Sequence, residues 1–140
     1  MNDRYLYRAK RKNWRELPKE KWWVEGYYAH IEAQDRDVIL VDSGGILFVD
    51  IDPSTICQCT GLKDKHGKLI FENDIVKRVD RRNDRHIFCE QPSMNCKVVW
   101  TYNYGFDTLP SCGHFDKSDG LECEIVGNIF DNPELLGVGL

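Results

Sequence analysis

Between Ile51 and Val79 the chain is broken so often that no helix of ordinary length can form there. Pro53 has no N–H to donate to a sheet and, with Ser54 beside it, stops the apolar run that precedes it. Asp64-Lys65-His66-Gly67 has the composition of a tight turn, with Gly67 at the position that takes positive φ without steric cost. Glu72-Asn73-Asp74 makes a second turn a few residues later. What remains between the breaks is short and extended. In Thr55–Thr60 the side chain of Ile56 faces one way and those of Cys57 and Cys59 the other, while Ile75–Val79 forms a further strand.

The remainder of the chain follows the same rule. No stretch of about a dozen residues places apolar side chains at i, i+3, i+4 and i+7 between capping residues. Strands are predicted instead at Tyr5–Ala9, Trp22–Ala29, Lys97–Tyr102 and Leu121–Phe130. Gly26, inside an aromatic strand, signals a bulge or a close backbone approach. Asp37–Asp42 and Ile46–Ile51, joined by Ser43-Gly44-Gly45, have the pattern of a hairpin. Residues 10–21, 80–95 and 103–121 are predicted as long polar loops. Asp131–Leu136, with Pro133 at the first helical position, forms one helical turn that Gly137 ends. Seven or eight short strands, long loops and at most one or two helical turns predict a mainly β fold, either barrel-like or a strongly bent antiparallel sheet. The chain of 140 residues fits a single domain, 1–140, in which Met1–Ala29 can form an arm or sub-lobe.

The longest apolar runs, such as Val38–Val41, are far shorter than the ~20 residues that cross a bilayer. The N-terminus has no apolar h-region, so the expected location is the cytoplasm. In that compartment the six cysteines are expected as reduced thiols. Cys57-x-Cys59 and Cys112-x-His114 are looser than the spacing of structural zinc sites, so the thiols are read as core side chains and no cofactor or metal is expected. Cys112 and His114 lie close in sequence without a third orienting group, and no phosphate-binding loop or hydrolase motif is present. The expectation is a protein that is not an enzyme. Asp74, between a turn and a strand, is expected to cap local backbone N–H groups.

Charge is distributed unevenly. Residues 1–23 carry eight basic side chains against three acids, and residues 102–140 carry seven acids against Lys117 alone. Such poles can steer an anionic partner or attract a second copy. The basic residues Arg11, Lys12, Lys77, Arg78, Arg81, Arg82 and Arg85, together with Trp22, form the candidate surface. Cations for phosphate and aromatic rings for stacking are what binders of single-stranded nucleic acid use on β platforms.

Taken together, the run Asp52–Val76, the flanks Tyr7-Arg8-Ala9 and Trp23–Tyr28, and the closing Ile125–Leu136 strongly resemble the YopX-like family of small proteins encoded by phages and prophages. The resemblance spans nearly the whole chain and implies an all-β, barrel-like fold; the family brings no established reaction to carry over. It usually has glycine where this chain has Asn73, the residue next most tolerant of positive φ. Near Cys57 and Cys59 it tends to have glycine or aromatic residues, so Cys-x-Cys is not a family ligand motif. The reading is a non-enzymatic binding or assembly module of phage or prophage origin that forms a homo-oligomer in the host bacterial cell. Binding of single-stranded nucleic acid is the alternative, and no membrane or small-molecule partner is expected.

Overall fold

The computed structural model describes residues 5–79, 93–102, 105–110, 115 and 122–137. Among these residues are ten strands: β1 (Tyr7–Lys10), β2 (Trp23–Ile31), β3 (Arg36–Asp42), β4 (Ile46–Asp50), β5 (Cys57–Lys63), β6 (Leu69–Phe71), β7 (Asp74–Val79), β8 (Ser93–Thr101), β9 (Gly105–Leu109) and β10 (Glu124–Asn128). They form two antiparallel sheets, ordered β4-β3-β2-β1-β5-β6 and β10-β7-β8-β9. The mainly β expectation holds. Among the described residues neither sheet closes into a barrel, and there is no α-helix, only short 3-10 turns. Contacts divide the chain into two compact units, Met1–Cys59 and Thr60–Leu140, with β5 running across the division. Met1–Ala29 supplies β1 and most of β2.

The first unit is built on an aliphatic core of Ala9, Val24, Ile39 and Ile51, with Tyr7, Tyr28, Val41 and Val49 packed around it. Burying a side chain such as Ile39 stabilises the fold by about 1.5–3 kcal/mol. The strands β1 to β4 curl, because Arg11, just past β1, bridges Ile51, just past β4, although β2 and β3 lie between them in the sheet. Gly26 makes the close approach expected of it: a Cβ there would lie 2.2 Å from the Leu40 carbonyl oxygen of β3. The β3–β4 hairpin turns at Ser43–Gly45, where Gly44 takes φ +77° and the Ser43 N–H donates to the Gly45 carbonyl.

The second unit has its own core of Ile70, Val76, Cys96, Val98, Phe115 and Cys123. Its turns have the expected geometry, with Gly67 at φ +79° and Asn73 at φ +70°. Asp74 Oδ2 accepts the Phe71 N–H at 2.8 Å, which is the capping role expected of it. Asp64 closes its own turn, Oδ1 accepting from His66 and Lys68, and reaches β10 through Oδ2. The shift in register between Ile125 and Gly127 marks a bulge in β10.

Four local expectations need correction. Lys10 belongs to β1 and is buried, and residues 14–16 and 19–21 form 3-10 turns, so residues 10–21 are not a plain exposed loop. Trp22 ends the second of those turns, and β2 begins one residue later. β9, which opens on Gly105 at φ +75° and pairs antiparallel with β8, lies within the segment 103–121 that was predicted as loop. Further 3-10 turns at Glu32–Gln34, Pro53–Thr55 and Pro133–Leu136 bring the helical turns to more than one or two.

Candidate functional site

The basic segment of the first unit is organised by a buried cation. Lys10 lies opposite Trp23 in the β1–β2 register. Its ammonium sits 3.8 Å from the centre of the Trp14 ring, 4.5 Å from that of Trp22 and 5.6 Å from that of Trp23. Trp14 and Trp22 meet edge to face at 4.9 Å. The indole N–H of Trp14 donates to Asp52 Oδ2, and that of Trp22 to the Leu17 carbonyl. These bonds fix the rings around the ammonium of Lys10, a residue that is 3% exposed. A desolvated cation gains most from the negative face of an aromatic ring, so the arrangement stabilises the fold. Hydrogen bonds from Ser54, opposed by partial burial and assisted by Trp14, hold the Asp52 carboxyl below its ordinary range. Arg8 lies over Trp23, Arg15 over Trp14 and Lys19 over Trp22. Trp22 therefore already carries cations of its own chain on its ring.

Beside this cage Arg11 donates through Nη1 to the carbonyls of Lys21 and Trp23, and the Lys12 N–H donates to the Asp50 carbonyl. Arg11, Lys12 and Lys21 line a groove of about 810 Å³ whose other wall includes Phe48, Val49 and Asp50. That wall is β4, the end strand of its sheet, whose outer edge meets Lys12 at Asp50. Ile46, Leu47 and Phe48 are 65%, 58% and 57% exposed. Neighbouring residues on a strand point to opposite faces, so Ile46 and Phe48 are open on one face and Leu47 on the other, where Val49 packs against the core.

The remaining candidates belong to the second unit or lie outside the described residues. Lys77 is exposed on β7. Arg78, its neighbour, is buried: it donates to Thr108 Oγ1 at 2.8 Å and lies over the Phe115 ring. Arg81, Arg82 and Arg85 lie outside the described residues, as do Cys89, Cys112 and His114. Arg11, Lys12 and Trp22 are thus brought together in one unit, and Lys77 and Arg78 in the other. Cys57, Cys59, Cys96 and Cys123 are buried and pack in the interior. Among the described residues no group of His, Cys, Asp and Glu is placed to hold a metal ion, and no helix is long and apolar enough to cross a membrane.

Sequence reasoning missed Lys10 and Trp14 as partners and the open edge of β4. The tryptophan spacing was the available signal for the first, and the absence of any charge between Ile46 and Val49 for the second.

A family model described as YopX protein matches residues 6–137, from the start of β1 to the final turn. The chain belongs to the YopX family. In this YopX-family member the turn that precedes β7 has Asn73 in the left-handed region. The crystal structure of protein EF1440 from Enterococcus faecalis is similar in fold. It is 22% identical in sequence, with a TM-score of 0.56, and the match covers 94% of this chain and 96% of that one. No curated protein matches.

Proposed function

We propose that this YopX-family protein is a non-enzymatic accessory module of phage or prophage origin that works by assembling with a second copy of itself along β4. The supporting observation is the run Ile46-Leu47-Phe48, each residue more than half exposed on an end strand. Soluble chains usually blunt such edges with lysine, proline or a bulge, and β4 has none of these. Charge favours a second copy as the occupant. Lys12 is held at the Asp50 end of β4, and Asp42 lies across from Ile46 at the other end. Two copies of β4 placed antiparallel bring the Lys12 end of each against the Asp42 end of the other. Both side chains are exposed, and strand addition supplies the main-chain hydrogen bonds. The resemblance to phage-encoded relatives supports the origin.

Light scattering after size exclusion tests the assignment. The wild-type chain should be dimeric at micromolar concentration and Phe48→Asp monomeric with an unchanged circular dichroism spectrum. A monomeric wild type overturns the proposal, and so does a Phe48→Asp variant that stays dimeric.

A further inference from the structure

The second unit contains a groove of about 860 Å³ on the β8–β9 hairpin, walled by the last 3-10 turn. Leu109, Ile129, Leu135 and Leu136 make most of its lining, and Asn95 and Lys97 supply the polar groups. A pocket of this size with an apolar lining and a few placed polar groups has the usual form of a ligand site.

Among the described residues each polar group has unmet capacity. The Asn95 amide N–H donates to the Leu135 carbonyl at 2.9 Å, which fixes the orientation of the amide. Its Oδ1 is buried and accepts no hydrogen bond among the described residues. A buried acceptor without a donor is costly, and a guest bearing an N–H or O–H relieves it. Asn95 nevertheless lines the groove, beside the single turn Pro133–Leu136. Lys97 is half-buried, and among the described residues no carboxylate pairs with it. It lies opposite Leu109 on β9 and on the same face of β8 as Asn95. Two residues apart on a strand are about 6.6–7 Å apart. A fitting guest therefore carries an apolar body, an anion and, within a few ångströms of that anion, a hydrogen-bond donor.

We infer that this groove binds the C-terminus of a polypeptide that ends in an apolar residue. The last residue of such a chain presents its N–H to Asn95 Oδ1, its α-carboxylate to Lys97 and its side chain to Leu109, Leu135 and Leu136. Capture of a terminal carboxylate is an established mode of peptide recognition, and this site lies in a different unit from β4.

Calorimetric titration with an N-acetylated tetrapeptide ending in leucine, as the free acid and as the amide, tests it. The free acid should bind about tenfold more tightly than the amide, because the carboxylate makes a charge-assisted bond. Lys97→Met should remove that preference, and Lys97→Arg should keep it. Leu109→Asp should abolish binding of both forms, with circular dichroism confirming that each variant is folded. The inference is overturned if the free acid does not bind at millimolar concentration or binds no better than the amide. It is equally overturned if decanoate binds and the peptide does not, which would assign the groove to fatty acids.

Discussion

Asp64 Oδ2 accepts the backbone N–H of Ile125 at 3.1 Å, tying the turn between β5 and β6 to β10 across 61 residues of chain. Its other oxygen serves the turn itself, accepting from His66 and Lys68 at 2.9 and 3.0 Å. One buried carboxylate thus does both local and long-range work. Burial pushes its pKa up, but the three N–H donors more than offset this and hold it below the ordinary carboxylate value. As pH falls, the unfolded chain therefore takes up this proton first. The stability contributed by Asp64 is complete above the ordinary carboxylate value and is lost as pH falls through the lower, folded value.

Asp64→Asn keeps an acceptor for the turn but sets an amide against the Ile125 N–H. At neutral pH it should cost about 1–3 kcal/mol, the usual effect of stranding a buried donor. It should also flatten the acid limb of the stability profile. Urea unfolding of both proteins over a pH series measures both effects. An equal loss of stability with acid in wild type and variant would contradict the assignment.

Lys10 should behave as a cation held by rings. Lys10→Ala should lower stability by about 2 kcal/mol, the scale of a desolvated cation–π contact. Lys10→Met should recover part of that loss, since a thioether also packs favourably against aromatic rings. Chemical denaturation followed by tryptophan emission gives both values. Single-stranded oligonucleotide added to the wild type should leave the emission unchanged, because Trp22 already has its own cations on its face. Quenching that disappears at high salt would favour the nucleic-acid reading instead.

Gly26 and Gly45 belong to the same unit and should respond oppositely to a methyl group. At Gly26 the added carbon would meet the Leu40 carbonyl and the Ile39 side chain at 2.2 and 2.8 Å, whereas Gly45 has nothing within 4 Å. Gly26→Ala should cost upwards of about 2 kcal/mol by overpacking, and Gly45→Ala within about 0.5 kcal/mol. Thermal unfolding of the pair is sufficient to compare them.

Features governed by a few adjacent residues were legible in the sequence. Gly67, Asn73, the β3–β4 hairpin, the cap from Asp74 and the close approach at Gly26 each follow from one residue type in one local conformation. Features that depend on distant partners were not. Lys10 reads as one of many solvated bases until Trp14, Trp22 and Trp23 are seen to surround it. Arg78 reads as a surface cation, yet Thr108 and Phe115 draw it inside. β9 was hidden by the glycine and proline around it. The apolar run of β4 reads as core, because alternation along a strand does not say whether anything covers its faces. The candidate surface of the first unit was thus partly legible, through Arg11 and Lys12, while the apolar edge beside them was not.

Assembly through β4 is tested most directly by exchanging charges at its two ends. In the paired arrangement each Lys12 meets the Asp42 of the other copy. Lys12→Asp and Asp42→Lys should each weaken self-association about tenfold by replacing attraction with repulsion at both contacts. An equimolar mixture of the two variants restores both contacts in a heterodimer. Sedimentation equilibrium at low salt should find each variant mainly monomeric alone and dimeric in the mixture. Variants that dimerise alone like the wild type, or a mixture that stays monomeric, would contradict the account.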